Sequence, residues 1–174
     1  MDNTYKLISS NTLTTTTASI TFSSIPSTYT DLLLMVSARS NSSSSSRDSI
    51  RLYFNGSTSL VYSFTRLLGD GTTLSSYSSP VDNELYSNFG ASTSLSTASV
   101  FGSVEIYIPN YLSTTNKPTS SFQVVEDNNA TGYFGLTAGL AQITSAITSI
   151  EVALNPSGSF VSDSSFYLYG IKNS

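Results

Sequence analysis

The stretch Gly102-Ser-Val-Glu-Ile-Tyr-Ile-Pro-Asn-Tyr111 constrains the fold of this chain more than any other. On an extended backbone, Val104, Ile106 and Ile108 point one way and Glu105 and Tyr107 the other. A period of two is the pattern of a strand with one buried face. Pro109 lacks the N–H that a further ladder bond needs, so the strand stops there. A chain made of such elements must bury one row of side chains from each strand against a second layer.

The same alternation recurs along the sequence. Tyr5 to Ser9 reads as a short first strand, and Ile20 and Phe22 alternate with Ser19, Thr21 and Ser23. Pro26 then breaks the pairing, and Ile25 and Tyr29 are expected to tuck back under a sheet edge. Ile50, Leu52 and Phe54 alternate with Arg51 and Tyr53, and Asn55-Gly56 predicts a hairpin turn into Leu60–Leu67. Further strands are expected at Phe122–Glu126, Tyr133–Ala141, Thr148–Leu154 and Phe166–Ile171, with turns at Asp127-Asn-Asn129 and Asn155-Pro-Ser-Gly158. Asn41 to Ser46 reads as a flexible low-complexity loop, and Ala138 to Ile147 is the one place where a short helical turn fits.

Strands at this spacing predict an all-β fold, an antiparallel β-sandwich of about 8–10 strands of the jelly-roll kind, with an immunoglobulin-like arrangement as the alternative. Residues 1–17 are expected to form an N-terminal arm or edge strand, and residues 18–174 one sandwich domain. Residues 70–99 lack sustained periodicity and read as an irregular insert, the segment expected to reach a partner.

Asp31 to Arg39 is the most apolar strand, with Leu32, Leu34, Val36 and Ala38 on one face and Leu33 and Met35 on the other. A strand apolar on both faces is central or has its outer face covered, so Leu33 and Met35 are candidate subunit contacts. Tyrosine is abundant, 11 residues beside 9 Phe and no Trp, and outward tyrosines anchor protein interfaces. Tyr77, Tyr86 and Phe89 in the insert, and Tyr107 and Tyr111 on and after the 102–111 strand, complete the candidate interface.

Composition removes whole classes of chemistry. No histidine is present, which excludes a Ser-His-Asp triad and imidazole acid–base work and leaves the 38 Ser and 22 Thr without that activating base. The carboxylate pairs Asp82 with Glu84 and Glu126 with Asp127 sit in no pattern that places them across a cleft, so no enzyme activity is expected. Asp70 and Asp127-Asn128-Asn129 could offer oxygens to a cation, but these residues belong in turns for backbone reasons, and no metal or other cofactor is expected. The net charge of −4 and the scattered Lys and Arg, with only Arg39, Arg47 and Arg51 near one another, argue against a nucleic-acid partner. The longest apolar run, Leu32 to Val36, is far short of a membrane span, and the first residues show no signal-peptide pattern, so synthesis in the cytoplasm is expected.

Several stretches resemble small structural proteins of tailed bacteriophages, especially those of aquatic bacteria. They are Ile20-Thr-Phe-Ser-Ser-Ile-Pro-Ser-Thr-Tyr-Thr-Asp-Leu-Leu-Leu34, Ser37-Ala-Arg39, Leu52-Tyr-Phe-Asn-Gly56, Glu105-Ile-Tyr-Ile-Pro-Asn-Tyr111, Leu136-Thr-Ala-Gly139, Ile147-Thr-Ser-Ile150 and Ser165-Phe-Tyr-Leu-Tyr-Gly-Ile171. The resemblance implies a jelly-roll-like capsid decoration, or cement, protein on the outer surface of the virion. Its implied partners are the major capsid protein and further copies of itself, as a homo-oligomer with a trimer favoured. The alternative is a tail or fibre-associated adhesin that binds host-surface glycans.

Overall fold

Period-two alternation becomes strand nearly everywhere it occurs. A computed structural model describes residues 4–126, 128, 132–154 and 158–172, and among them there is no helix, including over Ala138–Ile147. Asp127, Asn129 and Asn155-Pro-Ser157, parts of two expected turns, lie outside the described residues. The strands are β1 (Tyr5–Thr12), β2 (Ser19–Phe22), β3 (Asp31–Arg39), β4 (Arg47–Phe54), β5 (Tyr62–Gly69) and β6 (Leu74–Asp82). They continue with β7 (Leu85–Ser92), β8 (Gly102–Ile108), β9 (Lys117–Val125), β10 (Tyr133–Ala141), β11 (Ile150–Leu154) and β12 (Ser165–Ile171).

The hydrogen-bonded order resolves into two layers. One is β2-β11-β4-β7, and the other is β1-β12-β3-β8-β9-β10-β5-β6. A short parallel pairing of Ala38 and Arg39 with Ala91 and Ser92 joins β3 to β7, and every other named pairing is antiparallel. The layers enclose one apolar core, to which β3 gives Leu32, Leu34, Val36 and Ala38, and β8 gives Val104, Ile106 and Ile108. Ile50, Leu52 and Phe54 of β4 and Ile150, Val152 and Leu154 of β11 close it from the other layer. β3 is central, between β12 and β8, and β1 is an edge strand paired with β12. Ile25 is buried and the Tyr29 ring packs on Gly170, as the break at Pro26 suggested.

Four expectations are corrected. The described residues form twelve strands because the 70–99 stretch holds β6 and β7, which leaves only 70–73 and 93–99 with the two-residue turn between the strands outside regular structure. β6 hides its strand character because it is an edge strand, exposed along most of its length and rich in serine. β7 hides its own because Phe89 takes a left-handed φ of 59°, and its pairing with β4 slips between Asp48 and Ile50. Left-handed residues and bulges shift the alternation that periodicity relies on. The Asn55-Gly56 turn exists, with φ of 54° and 67°, yet it makes no hairpin: β4 pairs with β11 and β7, and β5 with β10 and β6. The Asn55 side-chain carbonyl accepts from the amides of Thr148 and Ser149, which fixes the turn to the strand beyond.

The serine loop is pinned as well. Ser94 Oγ and Ser96 Oγ donate to the carbonyls of Ser42 and Ser46 at 2.5 Å, and Thr93 Oγ1 donates to that of Ser45. Arg39 fastens the other side of the 93–100 segment by donating to the carbonyls of Thr97, Val100 and Ser96 at 2.8, 2.9 and 3.1 Å.

Candidate functional site

β9 and β10 are folded inside out relative to the rest of the sheet. Their inward positions include Lys117, Thr119, Gln123, Gly135, Thr137 and Gly139, with Val125 and Ala141 the apolar members at one end of each strand, while Phe122, Phe134 and Leu136 face solvent. The cause is the strand that crosses them: β7 lies over β8, β9 and β10 and leaves little room beneath it. A Cβ on Gly139 would run into the Leu85 side chain, and one on Gly102 into the backbone carbonyl of Gly90. Small residues at a close crossing are what such a crossing requires. Gln123 spans the same gap, accepting from Ser87 Oγ and donating to Thr137 Oγ1 at 3.4 Å each.

Lys117 is fully buried, and its ammonium donates to the carbonyls of Ser113 and Thr115 at 2.6 Å and of Ile143 at 3.0 Å. Burial pulls its pKa down. It ties the loop before β9 to the segment after β10.

A polar, aromatic seam joins β4 and β7 to β5 and β10 on this side. Arg51 Nη1 pairs with Glu84 Oε2 at 2.8 Å, and the Tyr53 hydroxyl donates to the same oxygen at 2.6 Å. Burial, reinforced by that hydrogen bond, pushes the Tyr53 phenol up to about 12 and raises Tyr86 also. The Arg47 guanidinium sits 3.5 Å from the Tyr133 ring centroid and 4.2 Å from that of Phe89, and Arg66 lies 4.7 Å over Tyr77. Cation–π contacts of this kind stabilise partly desolvated arginines. The three neighbouring arginines therefore do separate structural work: Arg39 on carbonyls, Arg47 on rings, Arg51 on Glu84.

The outer face of the eight-stranded layer is the candidate site. One cross-strand row runs Tyr167, Met35, Glu105, Phe122, Leu136, Leu67 and Ser76. The adjacent row runs Ser37, Ser103, Val124, Phe134, Gly69 and Leu74, with the Phe134 ring over Gly69. Met35, Leu67, Leu74, Phe122, Phe134 and Leu136 are 39–65 % exposed. An apolar patch of this breadth marks an interaction surface in a folded protein.

The interface residues expected from the sequence divide among four places. Leu33, Met35 and Tyr107 do share this face, with Leu33 beside Tyr107 and Met35 beside Glu105. Tyr107 is half-buried and its hydroxyl donates to Asp31 Oδ2 at 2.8 Å, so part of its surface is already used. Tyr77 is exposed but sits on the opposite side of β6, against Arg66. Tyr86 and Phe89 are half-buried in the seam, on Arg51 and Arg47. Tyr111 is corrected outright: it is fully buried, its hydroxyl donating to the Pro26 carbonyl, because the chain turns inward after β8. The residues missed, Phe122, Phe134, Leu136 and Leu67, all belong to regular alternation whose outward sense only the crossing by β7 reveals.

Two open clefts flank the face. One of about 480 Å³ is lined by Asp70, Thr72, Glu126, Tyr133 and Phe134. Asp70 Oδ1 caps its own turn by accepting from the amides of Thr73 and Thr72, at 2.6 and 2.9 Å, which holds that carboxyl below its ordinary pKa. The other cleft, about 390 Å³, is lined by Ser63, Thr65, Ser78, Ser79 and Pro80 with Phe64 and Leu140. Among the described residues no three acidic side chains gather as a metal site would need, and no helix is long and apolar enough to cross a membrane. No family model, curated protein or solved structure matches the chain.

Proposed function

We propose that this protein is a non-enzymatic structural component that assembles with other proteins, and that it decorates the outer surface of a bacteriophage capsid and braces the shell. The observation that carries the reading is the broad apolar face of the eight-stranded layer, which the chain itself leaves uncovered. Such a face calls for a protein partner, here further copies of the chain and the major capsid protein. The phage context rests on the resemblance of the stretches quoted above. The test is stoichiometry in purified particles: hundreds of copies per particle, released together with loss of shell stability, are expected, and a handful of copies would sink the decoration role.

A second reading, a glycan-binding adhesin, is favoured by the cleft that Phe134, Tyr133, Asp70 and Glu126 line. Aromatic and acidic residues around one cleft suit a sugar, with its apolar face and its hydroxyls. A glycan array separates the two readings: retention that disappears in Phe134→Ala favours the adhesin, and no retention on any glycan removes it.

A further inference from the structure

We propose that two copies of this chain pair face to face through the outer surface of the eight-stranded layer, about a two-fold axis that runs along the strands between β9 and β10. The pairing rests on reading that surface as an assembly face, and it names the occupant: a second copy.

Area argues first. The six side chains Met35, Leu67, Leu74, Phe122, Phe134 and Leu136 are 39–65 % exposed. Together they present roughly 600 Å² of apolar surface, taking full side-chain areas of about 200 Å² each. A standard interface buries about 800 Å² per partner. Val124, Ala138, Thr65 and the hydroxyls of Ser120, Ser76 and Ser78, on the same face, make up the remainder.

Symmetry argues second. A two-fold contact uses one surface twice, whereas a ring of three or more needs two different complementary surfaces. Of the other strongly exposed large apolar residues, Tyr5 and Leu7 lie on β1 at the far end of the same layer, Tyr77 and Val81 lie on β6, and Leu60 and Leu95 lie in loops, so no second group of this size gathers on paired strands among the described residues. Edge pairing is poorly served as well: β6 carries Pro80, its ladder to β5 slips between Tyr62 and Phe64, and β1 carries an irregularity between Leu7 and Ser9. Prolines and bulges are how edges are kept from pairing.

Charge fixes the axis. Glu105, on β8, is the acidic residue in the central row. An axis along the strands between β9 and β10 keeps each residue at its own height and exchanges sides, so β8 of one copy lies over β5 of the other. Glu105 then faces Thr65, Leu67 and the serines of β6, displaced sideways from its own copy by three strand spacings, about 14 Å. An axis across the strands at that height would stack the two carboxylates. With the axis along the strands, Phe122 of one copy meets Leu136 of the other, and Ser120 sits within one strand of its own equivalent.

Sedimentation velocity and light scattering on the full chain at micromolar concentration test the pairing. The expected mass is twice the 18.5 kDa of the chain. Phe122→Lys and Leu136→Lys, each at an exposed position, are expected to weaken the dimer about 30-fold or more, while Leu95→Lys, away from the face, leaves it unchanged. The chain has no cysteine. Ser120→Cys is therefore expected to be joined to its equivalent by a short bismaleimide linker that spans about 10 Å, and Ser78→Cys, far from the axis, is not. A monomer at these concentrations, a trimer mass, a dimer indifferent to both lysine variants, or linkage at Ser78 and not Ser120 would each overturn the pairing. Particle stoichiometry is independent: a monomer present at high copy on capsids removes the two-fold and keeps the decoration role, and a dimer missing from capsids does the reverse.

Discussion

β3 and β8 on one side, β9 and β10 on the other, are neighbours in one sheet with the same alternation and opposite meanings. In β3 and β8 the apolar row points into the core, where Leu34, Ile106 and Ile108 are fully buried. In β9 and β10 the apolar row points out, and glycine, threonine and glutamine point in. The difference lies in what covers them. The first pair meets the apolar rows of the opposite layer along most of its length, β7 touching β8 near Gly102 and Val104, and the second is crossed by β7 at close range. Alternation states which side chains share a face, and only the partner decides which face is the inside.

Four experiments break or sharpen that contrast, from the largest expected effect to the smallest. Ile106→Ala, which opens a cavity in the conventional half, is expected to cost about 2–5 kcal/mol in urea unfolding. Gly139→Val, beneath β7, is expected to cost about 1–3 kcal/mol because Leu85 must give way. A loss as large as that of Ile106→Ala would mean that the crossing is as rigid as the core, and no loss would mean that β7 is not seated there.

The buried phenols, of which Tyr53 and Tyr86 belong to the seam, are read by pH. Tyr53, Tyr62, Tyr86, Tyr107 and Tyr111 all have phenols raised above 10 chiefly by burial, Tyr53 to about 12. A raised phenol keeps its proton longer in the folded chain, so its contribution is complete below pH 10 and is lost as pH climbs through the folded value. Lys117, whose pKa is lowered, acts in the opposite sense. With five tyrosines against one lysine, stability is expected to fall from pH 10 toward 12, and Tyr53→Phe to flatten part of that fall. A stability that stays level or rises over this interval would overturn the burial of these phenols, because Lys117 acts below its ordinary value of 10.5. Phe122→Ser, on the outer face, is expected to change unfolding by less than about 0.5 kcal/mol at concentrations low enough to keep the chain monomeric, while altering association.

The conventional half was legible in the sequence. Val104, Ile106 and Ile108, or Leu32, Leu34 and Val36, declare strand and core together because apolar side chains meet apolar side chains. The candidate face was half legible. Leu33, Met35 and Tyr107 could be placed on the outer side of strands already known to be central. Phe134 and Leu136 could not, since the same Phe-Gly-Leu-Thr-Ala-Gly-Leu string suits either orientation, and the glycines hint at a close crossing without naming the strand that makes it. Tyr111 was misplaced because its destination depends on a turn, and Tyr86 and Phe89 because a strand broken by a left-handed residue shows no period.

The pinned serine loop has an evolutionary consequence. Its order comes from hydroxyls of Thr93, Ser94 and Ser96 donating to main-chain carbonyls of residues 42, 45 and 46. Every amino acid supplies a carbonyl, so Ser45 and Ser46 can drift to other residues while the contact survives, whereas Thr93, Ser94 and Ser96 must keep a donor. Selection on this loop is therefore lopsided: Ser45 and Ser46 are free to change, Ser42, whose hydroxyl meets that of Ser44, is less so, and the unremarkable segment fifty residues later holds the information.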